Sequence, residues 1–256
     1  MRAKFILGRV VSSPFITPYY VLGSAFGIPV LLLCNLYISS STLSFIFNMK
    51  RGALIVLEGC DRAGKSTQCK KLVEALNRKG VTAEPLRFPD RSTVIGKMIG
   101  SYLEKKSELQ DNAIHLLFSA NRWEMVPYME KQLHKGTTLV VDRYAYSGVA
   151  FTAAKDGFDL NWCKQSDVGL PKPDLIFFLE VKPEEAEKRD DFGDERYEST
   201  DFQVKVKNNF DLLREESWRV LDASQSIDDL HQQILEIAKN TICGDLPKQI
   251  DNLWVT

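Results

Sequence analysis

The stretch Gly59-Cys60-Asp61-Arg62-Ala63-Gly64-Lys65-Ser66-Thr67 follows the apolar run Ala53 to Leu57 and opens an amphipathic pattern that continues to Lys79. A glycine, four residues and then Gly-Lys-Ser, set between a strand and a helix, is the pattern of a loop that holds phosphate. Glycines let backbone N–H groups close around phosphate oxygens, and the following helix turns the positive end of its dipole toward them. Lys65 adds a point charge near a transferable phosphoryl group, and the Ser66 hydroxyl is a hard oxygen ligand suited to Mg2+. The plain alternative is a glycine turn with an ordinary capping serine, and the strand and helix context weighs against it.

Outward from this loop, short apolar runs keep alternating with longer amphipathic ones. Thr138 to Val141 precedes Tyr144 to Lys155, and Asp174 to Val181 precedes Pro183 to Lys188. Further helices are expected at Thr93 to Lys105, Asn112 to His134, Phe202 to Glu216 and Ile227 to Asn240, with a last strand near Trp218 to Leu221. Such alternation predicts an α/β fold, a parallel sheet of about five strands with helices on both faces. Gly136 supplies a stop for the long helix. With no internal repeat and no low-complexity linker, one catalytic domain is expected over 49–242, followed by a tail over 243–256.

The 256 residues carry a formal charge of -1, but the first 51 contribute five cations and no acid, leaving the rest at -6. A net acidic body argues against a polynucleotide partner, which needs a broad basic surface. The five cysteines, Cys34, Cys60, Cys69, Cys163 and Cys243, show neither CxxC nor Cys/His ligand spacing. They predict a reducing compartment with no disulfide framework and no structural zinc.

Residues 1–48 differ in character from the rest of the chain. No charge occurs from Val10 to Met49, and Ile16 to Ile38 is 23 residues long and mostly apolar. Three readings are open: a membrane anchor, a targeting segment, or an upstream extension that is absent when translation starts at Met49. Contact with a membrane is expected only if this segment is retained. The catalytic domain is expected in the cytoplasm, with the nucleus open to it, and in mitochondria or at a membrane if the segment is real.

Four further stretches accompany the phosphate loop: Phe88-Pro89-Asp90-Arg91, Leu117 to Glu124 (LFSANRWE), Asp142-Arg143-Tyr144 with Ser147-Gly148, and Asp194-Glu195-Arg196-Tyr197-Glu198. In order and approximate spacing, from Arg51 to about Ile242, these motifs resemble the eukaryotic thymidylate kinases, members of the P-loop nucleoside monophosphate kinases. The resemblance implies transfer of the ATP γ-phosphoryl group to dTMP, with Mg2+ as the metal, a homodimer as the assembly and a short lid over about 188–198.

It also implies roles for individual residues. Arg62 to Thr67 (Arg62, Ala63, Gly64, Lys65, Ser66, Thr67) would hold ATP, with Ala223 beside the adenine. Asp61 would meet the sugar 3'-hydroxyl, Arg91 the acceptor phosphate, and Phe88, Gly148 and Tyr197 would line the dTMP site. Arg62, Lys65, Arg143, Arg189 and Arg196 would neutralise charge during transfer, while Ser66 and Asp142 would hold Mg2+, Asp142 through water.

The residues themselves support parts of this. Asp142 ends an apolar strand, where parallel sheets place ligand-binding groups. Phe118 and Arg122, four apart, share one helical face and can offer a ring and a guanidinium to a pyrimidine. A core role is the plain reading of Phe118, since Leu116 and Leu117 beside it read as core residues. Two rival functions stay open at this point: a kinase for another nucleoside monophosphate such as dUMP, UMP or a purine nucleotide, and a nucleotide-binding protein without catalysis. No Asn-Lys-x-Asp segment is present to read guanine, which argues against a guanine-nucleotide switch.

Overall fold

Leu54–Glu58 (β1), Ala83–Arg87 (β2), Thr138–Asp142 (β3), Leu175–Glu180 (β4) and Arg219–Asp222 (β5) form one parallel sheet in the order β2-β3-β1-β4-β5. The computed structural model describes residues 50–255 except 182, 187–195 and 198. The amino-terminal segment, and with it all three readings of residues 1–48, lies outside the described residues. Among those that are described, no helix is long and apolar enough to cross a membrane.

Because successive residues of a strand face opposite ways, β1 feeds two cores. Leu54 and Val56 pack with Leu139 and Val141 on one face, and Ile55 and Leu57 pack with Val140 on the other. The first face is covered by Ala145–Ala153 (α5) and Thr200–Leu213 (α8), through Val149, Ala150, Val206 and Phe210. The second is covered by Lys65–Arg78 (α1) and Ile227–Cys243 (α9), through Leu72, Leu76, Leu230 and Ile234. A smaller apolar cluster, Ile99, Tyr102, Leu103 and Ile114, joins Val94–Leu103 (α2) to Asp111–Trp123 (α3).

Several expectations need correction. The long helix foreseen over Asn112 to His134 is two helices, α3 and Val126–His134 (α4), separated at Glu124 and Met125. Pro127 explains the break: it has no N–H to donate and is tolerated only in the first turn of a new helix. Leu116 is not a core residue but 52% exposed. β2 has no clean apolar pattern because it is an edge strand, where Glu84 and Pro85 are tolerated. The six-residue helix Leu160–Gln165 (α6), capped by the Asp159 side chain, is too short for periodicity to reveal. Of the helix expected from Pro183 to Lys188, the described part is the turn Pro183–Ala186 (α7).

The chain past α9 is docked rather than loose. Lys50 donates to the Gly244 carbonyl at 3.2 Å and Arg51 to the Pro247 carbonyl at 2.7 Å, so the tail is tied to the entry of β1. Leu253 is fully buried.

Candidate active site

The carboxyl ends of β1 and β3 lie side by side, with Leu57 opposite Asp142. The chain leaves β1 through the phosphate loop and leaves β3 through Asp142-Arg143-Tyr144, so two sequence motifs about 80 residues apart meet at one edge of the sheet. Around them opens a cavity of about 960 Å³. Its lining includes every residue from Asp61 to Thr67, and also Phe88, Arg91, Phe118, Arg122, Asp142, Arg143, Gly148, Tyr197 and Ala223. That volume lies at the upper end for small-molecule sites.

Backbone shape makes the phosphate half. Gly64, at φ 88°, caps α1 in the left-handed region that suits glycine. Gly59, at φ 144°, has no room for a side chain, because a Cβ there would stand 2.5 Å from the Leu179 carbonyl oxygen. Arg62 at φ 60° and Arg143 at φ 67° take the left-handed region without glycine's freedom, which concentrates backbone strain in the two turns that carry the cations.

Neighbours offset the charges of this half. Lys65 Nζ donates to the Cys60 carbonyl at 2.6 Å. Burial, helped by the nearby Arg143 charge, lowers the Lys65 pKa to about 8. Arg143 Nη2 is paired with Asp61, and Arg143 Nη1 donates to the Gly59 carbonyl at 3.3 Å. Ser66 Oγ donates to Asp142 Oδ2 at 2.5 Å. The other carboxylate oxygen, Asp142 Oδ1, is buried and has no hydrogen-bond partner among the described residues. A buried carboxylate oxygen without a donor, next to a serine hydroxyl at the head of a phosphate-binding helix, fits a hard cation that keeps most of its waters. No group of three or more His, Cys, Asp or Glu that could hold a metal occurs among the described residues. The donors thus suit Mg2+ shared with phosphates better than an all-protein metal cage.

The part of the cavity around Phe118 and Arg122 is built differently. Phe118 is half-buried on α3 and faces the cavity. One turn later, Arg122 Nε and Nη2 reach Asp167 at 3.1 and 2.6 Å, in a pair whose side chains are 2% and 0% exposed. Gly148 of α5 lies against that guanidinium, and a Cβ there would stand 2.7 Å from Nη2. A side chain at 148 would push the guanidinium aside. Phe88 is buried against Tyr144, with ring centroids 5.8 Å apart.

The family model for thymidylate kinase matches residues 57–234. Thymidylate kinases from Homo sapiens and Danio rerio are 55% and 54% identical to the chain over 208 residues, 80% of this chain and 98% of each relative. The chain belongs to the thymidylate kinase family. A solved structure of thymidylate kinase from Candida albicans, 40% identical, covers 79% of this chain and 98% of its own, with a TM-score of 0.73. The family's fold is the P-loop kinase fold, an α/β fold like the five-stranded parallel sheet with helices seen here.

Of the two expected lid cations, only Arg196 falls among the described residues. Arg189 lies outside the described residues. Arg196 is absent from the cavity lining and donates instead to the Tyr102 and Ser107 carbonyls and to Glu108, at 3.0, 3.3 and 2.6 Å. The turn at Arg196-Tyr197 directs the tyrosine inward and the arginine onto the loop after α2.

Besides Asp167, two residues that brace the site carry no motif signal. Glu58, fully buried at the end of β1, accepts from the Tyr144 and Ser147 backbone N–H groups at 2.9 and 3.1 Å and from Ser147 Oγ at 2.5 Å. It thereby holds the turn that contains the strained Arg143. Burial raises its pKa, while the Ser147 hydroxyl and the Arg143 charge work the other way. A lone carboxylate in an apolar strand was its only sequence signal. Gln203, on α8, accepts from the Asp61 N–H at 2.9 Å and donates to Asp61 Oδ2 at 2.7 Å. Nothing in the sequence links it to a loop 142 residues earlier.

Proposed function

We propose that this chain transfers the γ-phosphoryl group of ATP to the 5'-phosphate of dTMP, giving dTDP and ADP, and that the residues described above divide that task between two halves of one cavity. Phosphorylation of dTMP with ATP as donor is the activity of the family to which the chain belongs. The observation that carries the reading is the single cavity in which the phosphate loop and the Phe118, Arg122 and Gly148 recess face one another.

The acceptor phosphate is already an anionic nucleophile, so no covalent enzyme intermediate and no strong base is needed. The protein's work is to hold two mutually repelling anions in line and to offset charge on the migrating group. The backbone from Arg62 to Thr67 wraps the donor phosphates, with Lys65 released from the Cys60 carbonyl to reach them. Arg62 and Arg143 offset charge on the transferred group, and Arg91 grips the acceptor phosphate. Asp61 meets the sugar hydroxyl, braced by Gln203. Phe118 stacks on thymine, Arg122 addresses a carbonyl, and Phe88, Gly148 and Tyr197 complete the walls. Ala223 lies along the adenine. Ser66 and Asp142 would hold Mg2+, Asp142 through water; the ion would neutralise phosphate charge and orient the donor oxygens. Arg196 we assign to anchoring the carboxyl end of the lid rather than to the phosphates, and Arg189 stays with the lid role implied by the resemblance.

The same reading includes a homodimer, no nucleic-acid partner and a catalytic domain over 49–242, in the cytoplasm unless residues 1–48 direct it elsewhere. Support for the lack of a nucleic-acid partner is the acidic balance of the chain after residue 51.

A panel of dTMP, dUMP, UMP, dGMP and AMP with MgATP tests the function. dTMP is expected to have the highest kcat/KM, with dUMP lower by about 10- to 200-fold for its missing methyl. Faster turnover of UMP or a purine monophosphate would reject the assignment.

A further inference from the structure

We propose that the carboxyl-terminal tail is a positioning element for base recognition: residues 251–254 hold Arg122 in place from outside the cavity. The proposal rests on the reading of Arg122 as a thymine contact.

Arg122 is oriented by Asp167, and Asp167 sits in a segment, 166–172, with no regular structure of its own. On its inner side this segment is fastened to α3. The Ser166 carbonyl accepts from Ser119 Oγ at 2.8 Å and from Trp123 Nε1 at 2.7 Å, alongside the Arg122 pair. On its outer side the fastening is the tail. Gly169 N–H donates to the Leu253 carbonyl at 2.9 Å, Leu253 N–H to the Leu170 carbonyl at 2.7 Å, and Lys172 N–H to the Asp251 carbonyl at 2.7 Å. An antiparallel bridge joins Pro171 to Asn252.

Side chains repeat the arrangement. Leu253 and Leu170 are fully buried in the same apolar cluster. Trp254 places its ring edge-on to Tyr146, with centroids 5.4 Å apart, and Tyr146 stands two residues before Gly148 on α5. The tail therefore braces both supports of the guanidinium, the carboxylate that orients it and the helix that lies against it. A short strand of backbone bonds suits this role, because it fixes a loop's position without entering the site. A group that addresses a base must be held to a few tenths of an ångström, and a shift of about 1 Å can cost up to about 10²-fold.

The test is the full chain with Leu253→Ala, assayed well below its melting temperature. The KM for dTMP is expected to rise about tenfold, with the KM for ATP and kcat within about twofold of the parent, and Leu253→Met is expected to restore the parent value. A lowered melting temperature with an unchanged KM for dTMP would make the tail a fold staple only and would overturn the proposal. So would a parallel rise in both KM values. If Leu253→Ala does not fold, Trp254→Ala gives the same readout with an expected rise of about threefold, and an unchanged KM in that folded variant overturns the proposal. Arg122→Gln separates the two levels. An unchanged KM for dTMP there removes the underlying reading, whereas a raised KM there beside an unchanged one in Leu253→Ala removes only the role of the tail.

Discussion

The phosphate half and the base half of the cavity both contain an arginine paired with an aspartate, and the two pairs have opposite physical characters. Arg143 and Asp61 sit at the cavity wall with side chains 18% and 16% exposed, beside a lysine held on a loop carbonyl. Arg122 and Asp167 are sealed at 2% and 0%. Under the proposed function, phosphate would replace the carboxylate at Arg143 and a sugar hydroxyl would replace the guanidinium at Asp61. In the second pair Asp167 is fully buried and does not line the cavity, so a ligand there would leave the pair in place. The phosphate half is thus an arrangement of exchangeable partners, and the base half is a preformed template. Such a division suits a kinase whose two phosphate chains must be drawn together while one base is recognised in a fixed position.

Substitutions can break or sharpen this contrast, and the largest effect is expected at Arg62. Arg62→Ala should lower kcat by on the order of 10³ with dTMP binding retained, if its charge is offered mainly to the transition state. Steady-state kinetics with both substrates decide this, and an effect confined to KM would reject that role.

Next comes the difference in stability between the two pairs. Asp167→Ala leaves a buried guanidinium without its partner and should cost about 3 kcal/mol, whereas Asp61→Ala, at a wet wall, should cost about 1 kcal/mol or less. Urea melts of the two variants compare them directly. Equal losses would mean that the pairs do not differ in kind.

Asp142→Asn should raise the Mg2+ concentration for half-maximal activity by about 10- to 100-fold, with a smaller effect on the KM for dTMP. A chelator should abolish turnover of the parent and leave its melting temperature nearly unchanged, since no described group forms a protein metal cage. A large loss of stability on chelation would contradict the view that the ion is shared with phosphates.

The smallest effect is a pH dependence from Lys65. Burial, followed by the Arg143 charge, lowers its pKa in the folded protein to about 8 from 10.5. Between those values the unfolded chain binds more protons than the folded one, so this group's contribution to stability rises with pH from about 8 to 10.5. Nucleotide phosphates favour the charged lysine, so ATP affinity should fall above pH 8, by at most about tenfold per unit. Calorimetric titration across about pH 7 to 9 reads this, and Lys65→Arg should flatten the profile.

Legibility in the sequence followed the range of the interactions. The phosphate loop, the strand-end Asp142 and the one-turn spacing of Phe118 and Arg122 rest on contacts within a few residues, and periodicity or spacing expresses these directly. The helix break before Pro127 is marked by the proline alone, while the apolar pattern continues through it. Arg196 was read from its motif, yet its direction depends on carbonyls at Tyr102 and Ser107 that no lid motif contains.

By itself, then, the sequence determined that a strand, a phosphate-holding loop and a helix open a parallel α/β domain, and its motifs pointed to one family. Which group braces which was set by the folded chain. Glu58 under the Arg143 turn, Gln203 behind Asp61, Asp167 behind Arg122 and the tail behind Asp167 are all long-range pairings. The physical reason is that a buried polar group must find a partner wherever the fold brings one, and the fold sets that distance in space with no regard to separation along the chain.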